Sequence, residues 1–170
     1  MDFEPYIRDI KHFPKPGVTF KDITPLLKNA TALQKAANAL VGFIGNTKID
    51  KVVGVDSRGF IFAPMLAEKL GAGFVTVRKS GKLPYTTISE SYDLEYGKGI
   101  LEIHTDAIEE GDKVLVHDDV LATGGTAEAV CKLVEKLGGE VVQCNFLIEL
   151  SFLKGGDKLN GYPVKALLRY

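Results

Sequence analysis

The chain has 170 residues, enough for one domain with a real core. Its 45% hydrophobic and 25% charged content is ordinary for a globular protein, and a net charge of −1 argues against a general nucleic-acid or membrane-surface binder. No apolar run is long enough to span a bilayer, and Asp2 and Glu4 stand where a signal peptide needs an apolar core, so no secretion signal is expected.

Residues 1–12 show a weak helical spacing in Phe3, Tyr6, Ile7 and Ile10. Phe13-Pro14-Lys15-Pro16-Gly17 cannot continue a helix and sets an extended turn. Phe20 follows on this rigid segment. An aromatic there could stack on a planar base, or simply plug the core beneath an N-terminal arm. The apolar spacing predicts a helix over Ala30–Ile44, with Leu33, Ala36, Ala37, Leu40, Val41 and Ile44 inward. Lys51–Val55 reads as a buried strand ending in Asp56-Ser57-Arg58-Gly59, and a helix is expected from Phe60 to Leu70. A glycine-containing loop at the carboxyl end of a strand suits an anion, and Arg58 suits bidentate contact with phosphate. A surface ion pair is the plainer role for Arg58.

Gly73–Val77 is a third strand. It leads into Arg78-Lys79-Ser80-Gly81-Lys82, three cations in five residues that form a solvated face or lie over a polyanion. Gly71-Ala72-Gly73 is no dinucleotide fingerprint, because it lies between a helix and a strand and position 76 is Thr. Thr86–Ser89 and Ile100–Ile103 are extended runs on either side of Ser91–Lys98, where Glu95 reads, from residues alone, as an exposed hairpin charge.

The stretch Lys113–Thr126 organises the chain. Val114-Leu115-Val116 is an apolar run without alternation, as in a strand buried on both faces. His117 and two carboxylates, Asp118 and Asp119, follow, then a loop from Val120 to Thr126. Val130, Leu133, Val134 and Leu137 then share a helical face that Gly138-Gly139 ends. Ligands of open parallel sheets sit at the carboxyl ends of strands. Backbone N–H groups and the hydroxyls of Thr123 and Thr126 at a helix N-terminus favour a phosphate dianion, and Gly124 and Gly125 allow close approach. Asp118 and Asp119 would repel phosphate, so they need another task. Carboxylates accept hydrogen bonds from adjacent hydroxyls, as a ribose 2′,3′-diol offers. Loop and acids together describe a ribose 5-phosphate. The alternative is a plain strand-to-helix turn capped by Thr126.

Val141–Ile148 and Val164–Leu168 complete the strands. Strand and helix alternate through most of the chain, so the expected fold is a doubly wound, mostly parallel α/β sheet in one domain, residues 1–170. Cys131 and Cys144 lack metal-ligand spacing and lie in apolar segments, which reads as buried free thiols in a reducing, cytoplasmic compartment.

Lys113–Thr126 resembles the phosphoribosyl diphosphate (PRPP) motif of the type I phosphoribosyltransferases, with His117 departing from the aliphatic residue often found before the acids and reading as a core or packing variant rather than a catalyst. Phe13–Leu26 resembles the adenine-recognition arm of the adenine branch of that family, and Ser91–Lys98 resembles the family's hood, with Leu94-Glu95-Tyr96-Gly97 specific to the adenine branch. The resemblance runs from the arm to the Leu-Lys-Gly at Leu153. It implies an arm over about residues 1–28, a flexible β-hairpin hood over about 79–104, and the Mg²⁺-dependent reaction of adenine with PRPP to give AMP and pyrophosphate. It further implies that Thr19, Phe20, Lys21 and Leu150 hold adenine, with Phe20 and Leu150 on opposite faces of the purine. Asp118 and Asp119 would hold the ribose, and Ala122, Thr123, Gly124, Gly125 and Thr126 the 5′-phosphate. Asp56, Ser57, Arg58, Gly59, Arg78, Lys79 and Lys82 would hold pyrophosphate. A non-proline cis peptide is expected at Asp56-Ser57 or Ser57-Arg58.

Glu95, supported by Tyr96, would manage the imidazole proton of the base, with Arg58 stabilising the leaving group. Mg²⁺ would be chelated mainly by PRPP and water rather than by a protein cage. A homodimer is implied, some cations over the pyrophosphate coming from the neighbouring subunit. No nucleic-acid or membrane partner is expected. Two rivals remain: a transferase acting on a 6-oxopurine, and a regulator that binds PRPP without turnover.

Overall fold

The computed structural model describes residues 1–93 and 98–170. Seven strands form the main sheet: β3 (Lys51–Val55), β4 (Gly73–Lys79), β5 (Thr87–Asp93), β6 (Lys98–His104), β7 (Lys113–Leu121), β8 (Glu140–Glu149) and β9 (Val164–Arg169). Their spatial order is β5-β6-β4-β3-β7-β8-β9. The run β4-β3-β7-β8-β9 is parallel, and β6 and β5 extend it antiparallel. The chain therefore winds outward from β3 in both directions. The order reverses between β3 and β7, and the crevice beyond the carboxyl ends of those two strands is where such a sheet takes a ligand.

Strand and helix lengths follow from the burial each segment needs. β3 is apolar on both faces because helices cover both. On one side, after the short α1 (Thr24–Leu27), α2 (Ala30–Gly42) and α3 (Gly59–Leu70) pack Ala36, Leu40, Phe62 and Leu66 against Val52, Leu115 and Leu147. On the other, α4 (Gly125–Lys136) packs Val130, Leu133 and Val134 against Val53, Val114 and Phe146. Asn29 caps α2 by accepting a hydrogen bond from the Ala32 N–H at 2.9 Å. Ala32 is fully buried where the spacing had pointed to Leu33, which is half-buried.

Two expectations are corrected. Residues 1–12 are no helix: Glu4–Tyr6 is a short 3-10 turn, and β1 (Arg8–Lys11) pairs antiparallel with β2 (Thr19–Asp22) as a separate two-stranded sheet. A partner brought back by the Pro/Gly turn outweighs a weak local spacing. The second concerns the acid pair, which lies within a strand, not beyond it. β7 continues to Leu121 because β8 keeps pairing with it, Val120 against Ile148 and Leu121 against Glu149.

Candidate active site

Three strand ends converge on the crevice. β3 delivers Asp56, Ser57 and Arg58; β4 delivers Arg78 and Lys79; β7 delivers Asp118 and Asp119, followed by the loop to Thr126. Ser57, Arg58, Lys79, Asp118, Asp119 and Thr126 all line one cavity of about 240 Å³. A second, smaller cavity of about 70 Å³ is lined by Asp118 and by Ala122, Thr123, Gly124 and Thr126. Residues far apart in sequence, assigned to ribose, 5′-phosphate and pyrophosphate, thus share one crevice.

The Asp56-Ser57 peptide is cis, at the first of the two expected bonds. Helix α3 starts immediately after this turn. Its first residue, Gly59, is buried against β7: an added Cβ would stand 3.0 Å from Asp118 Oδ1 and 3.1 Å from the His117 carbonyl oxygen. A side chain there would prise the turn away from the acids. On the other side, Gly124 has φ +82° and precedes α4, so the loop turns back on itself before the helix begins. The N-terminal end of α4 carries the partial positive charge that favours an anion beside Thr126.

The electrostatics divide the site in two. Asp119 is 3% exposed, and burial pushes its carboxyl pKa up, against the opposing pull of Arg58. Arg58 Nε lies 2.9 Å from Asp119 Oδ2, an ion pair without hydrogen-bond alignment, so that buried oxygen lacks a hydrogen-bond partner. Asp118 accepts a hydrogen bond from the Asp119 N–H at 2.9 Å, and its pKa is raised by burial and then by the neighbouring charge of Asp119. A buried carboxylate oxygen without a donor, beside the half-buried carboxylate of Asp118, is an acceptor site for hydroxyls. The other half is cationic. Asp56 Oδ2 accepts from Lys82 Nζ at 2.9 Å and from Arg78 Nε at 3.1 Å. Lys82 first, then Arg78, hold the Asp56 carboxyl below its usual range despite burial.

Phe20 belongs to neither core cluster. It is half-buried, meets Phe13 edge-on at 5.3 Å between ring centres, and carries the Arg58 guanidinium 5.0 Å from its own centre. The Lys21 side chain is held by Asp9 at 2.7 Å and lies 3.6 Å over the Tyr170 ring, while Thr19 is exposed. Leu150 packs at the edge of the core beneath α2 and α3, its N–H donating to the Leu121 carbonyl at 2.9 Å. Phe20 is joined to the acid pair through Arg58; Thr19, Lys21 and Leu150 are not among the residues lining the two cavities. Glu95 and Tyr96 lie outside the described residues.

The place of Tyr92 escaped the sequence reading. Tyr92 lines the larger cavity, opposite Gly99 across the β5–β6 pair; an added Cβ on Gly99 would be 2.5 Å from the Tyr92 ring. The pairing is set by the hairpin register, so the sequence carried no local signal for it. His117 is fully buried, and its Nδ1 lies 2.7 Å from Asn145 Oδ1, whose amide donates to the Leu40 carbonyl at 3.3 Å. That contact agrees with a packing residue. Cys131 and Cys144 are buried free thiols, 3.4 Å apart. No helix among the described residues is long and apolar enough to cross a membrane.

This sheet order, with its crevice at the strand switch point, is that of a doubly wound α/β protein. The phosphoribosyl transferase domain matches residues 21–163, and the chain belongs to that family. Its relatives narrow the class. An adenine phosphoribosyltransferase from Christiangramia forsetii is 62% identical over 170 residues, covering 100% of this chain and 99% of its own. The adenine phosphoribosyltransferase of Thermoanaerobacter pseudethanolicus superposes with a TM-score of 0.96 at 49% identity, covering 99% of this chain and 98% of the other. That of Saccharomyces cerevisiae, solved with adenine and an imino-altritol bisphosphate, gives 0.93 at 43% identity, covering 98% and 96%.

Proposed function

We propose that the chain transfers the 5-phosphoribosyl group of PRPP to adenine in purine salvage, forming AMP and releasing pyrophosphate. One observation carries the reading: the acid pair, the Ser57-Arg58 turn and Thr126 of the phosphate loop line one cavity, and Asp118 and Thr126 also line the smaller cavity of the rest of that loop. AMP formation from adenine and PRPP, with neither substrate alone giving product, tests it.

The ribose diol donates its hydroxyls to Asp118 and Asp119. This supplies Asp119 Oδ2 with the hydrogen bond it lacks. The 5′-phosphate sits in Ala122–Thr126 at the N-terminus of α4. Pyrophosphate lies against the Ser57 and Gly59 backbone, Arg58, Arg78, Lys79 and Lys82. Asp56 serves there by holding Arg78 and Lys82 in place until the anion arrives. A ring nitrogen of adenine bonds to C1′ as the bond from C1′ to the pyrophosphate oxygen breaks. Positive charge builds on the ribose, which the acids favour, and negative charge on the leaving group, which the cations favour. Adenine stacks on Phe20, and Leu150 covers the other face. The Lys21 side chain is occupied by Asp9 and Tyr170, which leaves backbone at Thr19–Lys21 to read the base edge. Glu95, with Tyr96, takes the imidazole proton.

Among the described residues no group of three or more metal-ligating side chains stands together. The carboxylates lining the cavity are Asp56, which is engaged by Arg78 and Lys82, and Asp118 and Asp119, hard oxygens that fit Mg²⁺ held chiefly by PRPP and water. When bound, Mg²⁺ neutralises charge on pyrophosphate. The chain works in the cytoplasm as a homodimer; a monomer with full activity at assay dilution contradicts that assembly.

A further inference from the structure

We propose that Gly155 is a positioning residue for the phosphate loop, its missing side chain setting the loop's shape for a 5′-phosphate monoester. This rests on the reading of Ala122–Thr126 as the 5′-phosphate loop and adds a residue from the far end of the chain.

Gly155 is buried and opens the short helix Gly155–Leu159. It lines neither cavity of the site, yet its backbone touches the loop directly. A Cβ added to Gly124 would stand 2.2 Å from the Gly155 carbonyl oxygen. A Cβ added to Gly155 would stand 2.2 Å from the Ala122 carbonyl oxygen and 2.9 Å from the Gly124 nitrogen. Non-bonded carbon contacts are comfortable only near about 3.5–4.0 Å. Every atom met is backbone, so no rotamer can relieve the clash.

The wall behind the loop cannot simply retreat. Leu159 is buried in the core cluster that also holds Ala127 and Val130 of α4. At the other end, the Leu150 N–H is bonded to the Leu121 carbonyl, just before the loop. The segment is therefore tied to the floor of the site on both sides. A methyl at Gly155 would push Ala122 and Gly124 toward the place of the dianion and turn their N–H groups off aim. Neighbouring Gly156 is a built-in control, because an added Cβ there meets nothing within 4 Å.

The test compares Gly155→Ala, Gly156→Ala and Thr126→Val with the parent chain by calorimetric titration with ribose 5-phosphate and, separately, pyrophosphate. Gly155→Ala is expected to weaken ribose 5-phosphate roughly tenfold or more while leaving pyrophosphate within about twofold. Gly156→Ala should bind both like the parent. A folded Gly155→Ala with unchanged ribose 5-phosphate affinity, or with equal loss of both ligands, overturns the inference. If Thr126→Val also binds ribose 5-phosphate like the parent, the loop reading itself has failed. Should Gly155→Ala not fold, hydrogen exchange on the unaltered chain decides. Ribose 5-phosphate must protect residues 151–159 together with 122–126; protection of the loop alone contradicts the role of Gly155.

Discussion

The Nε of Arg58 lies 2.9 Å from Oδ2 of Asp119, while its guanidinium carbon stands 5.0 Å from the centre of the Phe20 ring. One cation thus bridges the places assigned to ribose and base. It also holds down the pKa of a carboxyl that burial raises. Removing Arg58 leaves a buried charge uncompensated, so the carboxyl of Asp119 must take a proton more readily. Arg58→Ala is expected to lower kcat/KM for PRPP by about 10²–10³, the cost of losing one well-placed charge-stabilising donor. The acid limb of its pH profile should move to higher pH. An unshifted acid limb separates Arg58 from the ionisation of the acid pair.

Phe20 lies in neither core cluster, so its truncation should spare stability and affect base binding. Stacking of a base on an aromatic contributes about 1–3 kcal/mol. Phe20→Ala should therefore raise KM for adenine about 5–150-fold with little change in KM for PRPP. Steady-state kinetics with each substrate varied in turn checks this. An equal rise in both constants would place Phe20 in the structure of the arm.

Glu95→Gln should lower kcat by about 10²–10⁴, the usual contribution of a general acid or base, with modest loss of PRPP affinity. Turnover equal to that of the parent removes Glu95 from the mechanism.

His117 makes stability depend on pH. Its ring is fully buried, Nδ1 is engaged by Asn145, and Nε2 has no hydrogen-bond partner. Burial pulls its pKa from 6.5 down to about 4. Between those values the unfolded chain binds the proton and the folded chain does not. Stability is therefore lost as pH falls through that window, by roughly 3 kcal/mol in all. His117→Val should be less stable at pH 7, because Asn145 loses its partner, yet should lose less on going to pH 4.5. Denaturant titrations at both pH values measure the difference. Equal pH dependence in the two proteins contradicts it.

Much of this was legible before the structure. The apolar runs at Val52–Val55 and Val114–Val116 could only be strands covered on both faces, and each is followed by residues whose chemistry has no role in a core. The cations at Arg78–Lys82 were visible too, but not their partner. Asp56 reaches them only because β3 and β4 lie side by side in register. Tyr92 and Gly155 were missed for a similar reason. A hairpin register brings one to the cavity, and a contact between two backbones makes the other matter. Neither leaves a local pattern, since spacing along the chain reports which face a residue takes and not what stands across from it.

The most direct test of the central claim is pyrophosphate release from PRPP and Mg²⁺ with adenine, hypoxanthine, guanine and xanthine in parallel. The account predicts release with adenine alone. Release with a 6-oxopurine, or no release with any base despite tight PRPP binding, would contradict it.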